Sequence, residues 1–250
     1  IETKTPHRPI EILISVGEEL YCKGANAFDY NQVQAKEAYV LDLSGAIGAA
    51  AYAAPTLVSF AAKIQGKAAH AGFHPEDGIN SIQAAAHAIA QLPQGHVDES
   101  TTANIGKIGG GSGTNIVSES CVIEGEIRSL NHETAMELLE TYYRTFQQEA
   151  EKIGAKLVWE EKLNIHAYET PLTSDAARHY ESAVAEEGLT AAFEKTFGGS
   201  DNNVFAQHGI EGLVIATSMN QVHSCAEYTK IQEIALVARI VANLAALQED

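Results

Sequence analysis

The chain is short of basic residues: 16 lysines and arginines stand against 33 aspartates and glutamates, a net charge of −17 over 250 residues. Nucleic-acid backbones and anionic membranes are gripped by basic patches, and here Lys and Arg are scattered singly, so neither partner is expected. Cysteine is scarce too. Cys22, Cys121 and Cys225 are odd in number and widely spaced with no CxxC pair, which argues against a disulfide framework or zinc knuckle and fits a reducing cytoplasm. No apolar run reaches the roughly 18–20 residues of a membrane helix, and the first residues lack the plan of a signal peptide. HExxH, GxSxG, Walker and GxGxxG signatures are all missing. The glycine cluster 109–113 lies between two strand patterns, not between a strand and a helix, so it is not read as a phosphate cradle.

What is present is a 45% hydrophobic composition, enough for an ordinary core in one or two domains. Residues 10–16 (IEILISV) read as a buried strand, 23–30 as a short helix and 38–43 (AYVLDL) as a second strand, the alternation of an α/β layer. The chain opens on Ile1 and enters that first strand almost at once, so it is expected to begin inside a domain.

From Thr56 the pattern changes to strict alternation, the period of a half-buried antiparallel strand. A helix stripe follows (Ile79, Ile82, Ala86, Ile89), then strands at 103–108 and 115–128, and a long helix capped by Asn131 and closed by Gly154. A last strand starts at Lys156. The order β-α-β-β-α-β is the ferredoxin-like split motif, expected here as residues 55–164 inserted between 1–54 and 165–250. Downstream, 174–187 reads as a helix ended by Gly188, 212–216 as a buried strand, and 231–247 as a helix with Thr229–Gln232 as its capping box.

Several polar residues follow apolar strands, where an open α/β sheet places its ligand crevice. Glu18 and Glu19 follow IEILISV, Asp42 ends AYVLDL, and His223 lies beyond the 212–216 strand. Carboxylates with an imidazole suit zinc or a similar divalent ion, and a spare carboxylate beside them could take a proton from water. Each also has a plain reading as a solvated loop residue. His70, among small residues in GKAAHAG, is free to reach outward or to sit as a turn residue. Arg128 could clamp a carboxylate with Asn115, or simply pair with Glu124 or Glu126.

In order, the segments VGEELYCKGA, VLDLSG, GKAAHAGFHPEDGINSI, TNIV with GEIRSL, FGGSDNNVF and VHSCAEYT resemble the M20 family of zinc metallopeptidases, tripeptidase T-like members in particular, across essentially the whole chain. The resemblance implies an M20-type, zinc-exopeptidase-like α/β catalytic domain carrying the ferredoxin-like lid, and hydrolysis of small peptides by a homodimer joined through that lid. It makes Glu18 the general base, Glu19 and His223 ligands to one zinc ion and Asp42 a ligand to the other, and His70, Asn115 and Arg128 substrate contacts, with the Gly198-Gly199-Ser200-Asp201 loop lining the cleft. It also implies that Glu18 and Glu19 share a site only if the backbone has left the strand by Gly17.

Two features depart from the family pattern. Phe197 stands where the tripeptidases carry arginine, and the family's His-x-Asp segment and bridging aspartate have no counterpart before Ile10. The expectation is that this chain alone lacks an intact two-metal centre and is inactive or nearly so, while its parent is a peptidase. The competing expectations are a non-catalytic dimerisation or peptide-binding module, and an M20 amidohydrolase acting on N-acyl amino acids.

Overall fold

The computed structural model describes residues 6–246. They form two compact units, one built from the residues up to Ala54 together with those from Tyr168 onward, the other from Pro55–Ala167.

The first unit opens without the expected strand. Residues 10–16 pair with no strand among the described residues, and Ile12, Ile14 and Val16 are 76%, 87% and 73% exposed. An apolar β-like run without a hydrogen-bonding neighbour has nothing to hold it as a strand. A 3-10 turn at Glu18–Leu20 and helix α1 (Lys23–Ala27) follow. Next come β1 (Glu37–Ser44), as anticipated, and β2 (Ala49–Ala54), which its alanine-rich, weakly β-forming sequence did not announce.

The second unit runs β3 (Thr56–Gln65), α2 (Ser81–Ile89), a two-residue β4 (Gly95–His96), β5 (Thr101–Gly110), β6 (Ser120–Ser129), α3 (His132–Lys152) and β7 (Lys156–Ile165). Its sheet has the order β4-β5-β6-β3-β7, with every pairing antiparallel. Alternation decides which face is covered: Val58, Phe60, Ala62 and Ile64 of β3 and Ile123 and Ile127 of β6 point into one core with Leu139, Tyr142 and Phe146 of α3. Gly125 of β6 gives Phe60 its room, since a Cβ there would stand 2.5 Å from the ring. The Asn131 cap forms as expected, its Oδ1 accepting from the Thr134 amide at 2.9 Å. Gly154 closes the segment at φ +75°, the left-handed region glycine enters freely.

The chain returns to the first unit through β8 (Tyr168–Glu169), α4 (Asp175–Ala185), β9 (Ala192–Lys195), α5 (Asn202–Gln207), β10 (Glu211–Met219) and α6 (Ile231–Ala245). β10 lies between β1, to which it is parallel, and β2, to which it is antiparallel; β8 and β9 also pair with β2. Tyr180 and Val184 of α4 and Ile240 and Leu244 of α6 bury helix stripes against Leu213 and Ile215 of β10. The expected capping box of α6 does not form: Lys230 occupies the cap position with no side-chain bond. Instead Ser218, twelve residues upstream, accepts from the Lys230 amide at 3.4 Å and donates to Glu233. None of the described helices is long and apolar enough to cross a membrane.

Candidate active site

β1 and β10 run parallel from Glu37↔Glu211 to Ser44↔Met219, so both end at the same sheet edge, where open α/β sheets bind ligands. Asp42 lies near the end of β1 within a register irregularity between Val40 and Leu43, a local break that re-aims side chains. The loop after β10 carries His223.

The Glu18–Glu19 pair meets the condition set by its sequence. Gly17 has φ +67°, and the 3-10 turn that begins at Glu18 takes the backbone out of extended conformation. Tyr21 and Cys22 follow at φ +61° and +56°, and across the site Ser218, Gln221 and His223 stand at +65°, +53° and +61°. These are all the positive-φ residues other than glycine among the described residues. Each costs on the order of 1–2 kcal/mol, and such strain gathers where geometry serves a function.

The two loops meet: Glu19 Oε1 lies 3.6 Å from His223 Nδ1, both side chains largely exposed. Glu18 is half-buried, and its carboxyl is pushed from the ordinary 4.5 up to about 7, first by lost hydration, then by the negative charges of Asp42, Glu19 and Asp201, with His223 opposing. Asp42 is raised for the same first reason and by Glu19 and Asp201. Its side chain still reaches solvent, so it is crowded by charge more than enclosed. Four carboxylates therefore interact around one histidine. Among the described residues, however, no three His, Cys, Asp or Glu side chains converge closely enough to hold a metal ion. Glu19 and His223 make a two-donor contact, and a closed metal centre does not fit the residues as they are arranged.

Ser200 is buried and engaged in its own loop: its amide donates to Asn203 Oδ1 at 3.0 Å and its Oγ accepts from the Asn202 amide at 3.2 Å. Gly199 beside it is half-buried. Asp201, expected only as part of the loop lining the cleft, is 8% exposed and hydrogen-bonded to Ser15. Ser200–Asn203 are four consecutive buried polar residues, and such groups stay buried only with partners or a task, a burial that the sequence does not display.

In the second unit, His70 and Asn115 come together through the backbone. His70 bridges Ile116, and the Ala71 amide donates to Asn115 O at 3.0 Å. The exposed His70 ring stacks on Phe73, and its Nδ1 accepts from the Gly72 amide at 3.1 Å. Asn115 lies in the turn before β6, not on the strand as expected, because β6 starts only at Ser120. Arg128 is at the far end of β6, about 26 Å along the strand from Ser120, and pairs with Glu126 at 2.8 Å. The two do not form one clamp within this unit.

Residues 52–154 match the M20 peptidase dimerisation domain. The chain is 36% identical to the protein YqjE of Bacillus subtilis over 96% of its own length and 65% of that protein's. Among solved structures, aminopeptidase PepT from Bacillus cereus superposes with a TM-score of 0.92 at 36% identity, covering 96% of this chain and 65% of that one. A tripeptidase from Staphylococcus aureus superposes at 0.89 and 31% identity, covering 92% and 62%. The fold alone is shared with YXEP of Bacillus subtilis, described as a dinuclear metal-binding peptidase of the M20 family, at a TM-score of 0.70 and 19% identity over 91% of this chain and 61% of that one. The chain thus spans somewhat under two thirds of the relatives it matches.

The chain has an α/β fold with an M20 peptidase dimerisation domain inserted, and it is similar to the peptidase T-like proteins of that family.

Proposed function

We propose that the protein is a zinc-dependent hydrolase of peptide bonds in small peptides, of the tripeptidase and aminopeptidase kind. The observation that carries this reading is the gathering of Glu18, Glu19, Asp42 and His223 around the shared carboxyl ends of β1 and β10, in a chain that superposes over nearly its whole length on PepT. Glu18 takes a proton from the attacking water and delivers it to the leaving amine as the C–N bond breaks. Glu19 and His223 would be donors to one zinc ion and Asp42 to the other, carboxylate and imidazole groups of the kind that suits zinc. His70, Asn115, Arg128, Gly199 and Ser200 are assigned to substrate. Arg128 would serve a different part of the substrate, or a different subunit's site, from Asn115.

With no three-donor group assembled among the described residues, the 250 residues alone hold zinc weakly and turn over slowly. The protein works as a homodimer through the 52–154 domain, where β7 leaves a ten-residue sheet edge to be paired or covered. Three free thiols fit a cytoplasmic setting.

A fluorogenic panel tests the reading. Residual turnover should fall on peptides with free amino termini, require added zinc and vanish in Glu18→Gln. Turnover confined to N-acyl amino acids would assign an amidohydrolase, and turnover that survives Glu18→Gln would remove Glu18 from the chemistry. Peptide binding that ignores zinc, without turnover in any assembly, would favour a non-catalytic module.

A further inference from the structure

The Glu18–Glu19 turn sits at the end of a segment with no strand partner among the described residues, so its conformation needs another source. The backbone supplies part: the Leu20 and Lys23 amides both donate to Gly17 O at 3.1 Å, Cys22 to Glu18 O at 2.8 Å, and Gly24 to Val16 O at 2.8 Å. These bonds are local, and they close a turn whose flanks hold Gly17, Tyr21 and Cys22 in the left-handed region. Something outside the turn must offset that strain.

One group reaches both flanks. Asp201 accepts a hydrogen bond from Ser15 Oγ, three residues before Glu18, and its charge acts on the buried thiol of Cys22, three residues after Glu19, whose own hydrogen bond runs to Glu18 Oε1 at 4.0 Å. Its other oxygen, Oδ1, is buried and takes no hydrogen bond among the described residues. A carboxylate this buried, set among Glu18 and Asp42, is a poor choice for stability alone. An uncharged side chain of similar size would fill the place at lower cost.

We propose that Asp201 is a positioning residue: through its hydrogen bond with Ser15, it pins the turn that presents Glu18 and Glu19 to the site. It acts through the turn and touches no substrate, and it rests on the peptidase reading only for the role given to Glu18 and Glu19.

Hydrogen–deuterium exchange on the full chain, without zinc or substrate, tests this in peptides covering residues 16–24. A hydrogen bond to a charged group is among the stronger local restraints on a turn. Ser15→Ala and Asp201→Asn should therefore speed exchange at Leu20, Cys22, Lys23 and Gly24 about tenfold or more, with exchange in β3, β6 and α3 unchanged. Ser15→Thr keeps the hydroxyl and should restore the slow rate. Unchanged exchange at 16–24 in both variants, acceleration spread evenly over the chain, or failure of Ser15→Thr to rescue would overturn the proposal. Because the readout needs neither metal nor turnover, the proposal and the peptidase reading can fail separately.

Discussion

Replacing Glu18 by glutamine should make the metal-free protein more stable at pH 8 while leaving it nearly unchanged at pH 4.5. The Glu18 carboxyl is raised from 4.5 to about 7 by lost hydration and by the charges of Asp42, Glu19 and Asp201. With a folded-state value above the unfolded one, the folded chain holds an extra proton between pH 4.5 and 7, and stability is lost as pH rises through that window. At 1.36 kcal/mol per pH unit the ceiling is about 3.4 kcal/mol. Glu18 is only half-buried, and solvent screening brings the expected cost down to about 1–2 kcal/mol. The glutamine side chain keeps the shape and does not ionise, so the advantage of Glu18→Gln should open over the same window. Urea unfolding in chelator, followed by far-UV circular dichroism at pH 4.5 and pH 8, measures it. An advantage of the variant equal at both pH values, or an unsubstituted protein more stable than the variant at pH 8, would refute the electrostatic account of this site.

Three further outcomes follow from the packing and backbone. Phe146→Ala removes a fully buried ring beside Phe60 and Trp159 and should cost the second unit about 3–5 kcal/mol, read by the fluorescence of Trp159, the chain's single tryptophan. Gly17→Ala places a Cβ at φ +67° and should cost about 1–2 kcal/mol, felt in exchange at the Glu18–Leu20 turn and not in α3. Ser174→Ala deletes the Oγ that accepts from the Ala177 amide at the start of α4 and should lower stability by about 1 kcal/mol in chemical denaturation.

The inserted unit was legible because its elements depend on period. The alternation of Val58 to Ile64 and the three-to-four spacing of Leu139, Tyr142 and Phe146 state which face is buried before any partner is known. Residues 10–16 misled for the same reason in reverse: their apolar character resembles a strand, but strand formation depends on a neighbour that sequence does not display. β2 and β9 escaped because AAAYAA and AFEK carry weak β signals that only tertiary pairing overrides. At the site, the placement of Glu18, Glu19, Asp42 and His223 after strands was readable. The left-handed backbone of Tyr21, Cys22, Ser218, Gln221 and His223 was not, since none is a residue type that seeks it except, mildly, His223. Asp201 was readable only as the last residue of the GGSD loop assigned to the cleft, and its contact with Ser15, far away in sequence, is visible only in the structure.

On the proposed reading, Glu19 and His223 are donors to one zinc ion and Asp42 to a second, at the carboxyl ends of β1 and β10. Zinc titration of the purified chain against a chromogenic chelator tests it most directly. Weak, saturable binding is expected, reduced about tenfold or more in Glu19→Gln and His223→Ala, which share one ion, and by less in Asp42→Asn. Zinc affinity unaltered by all three substitutions would contradict it.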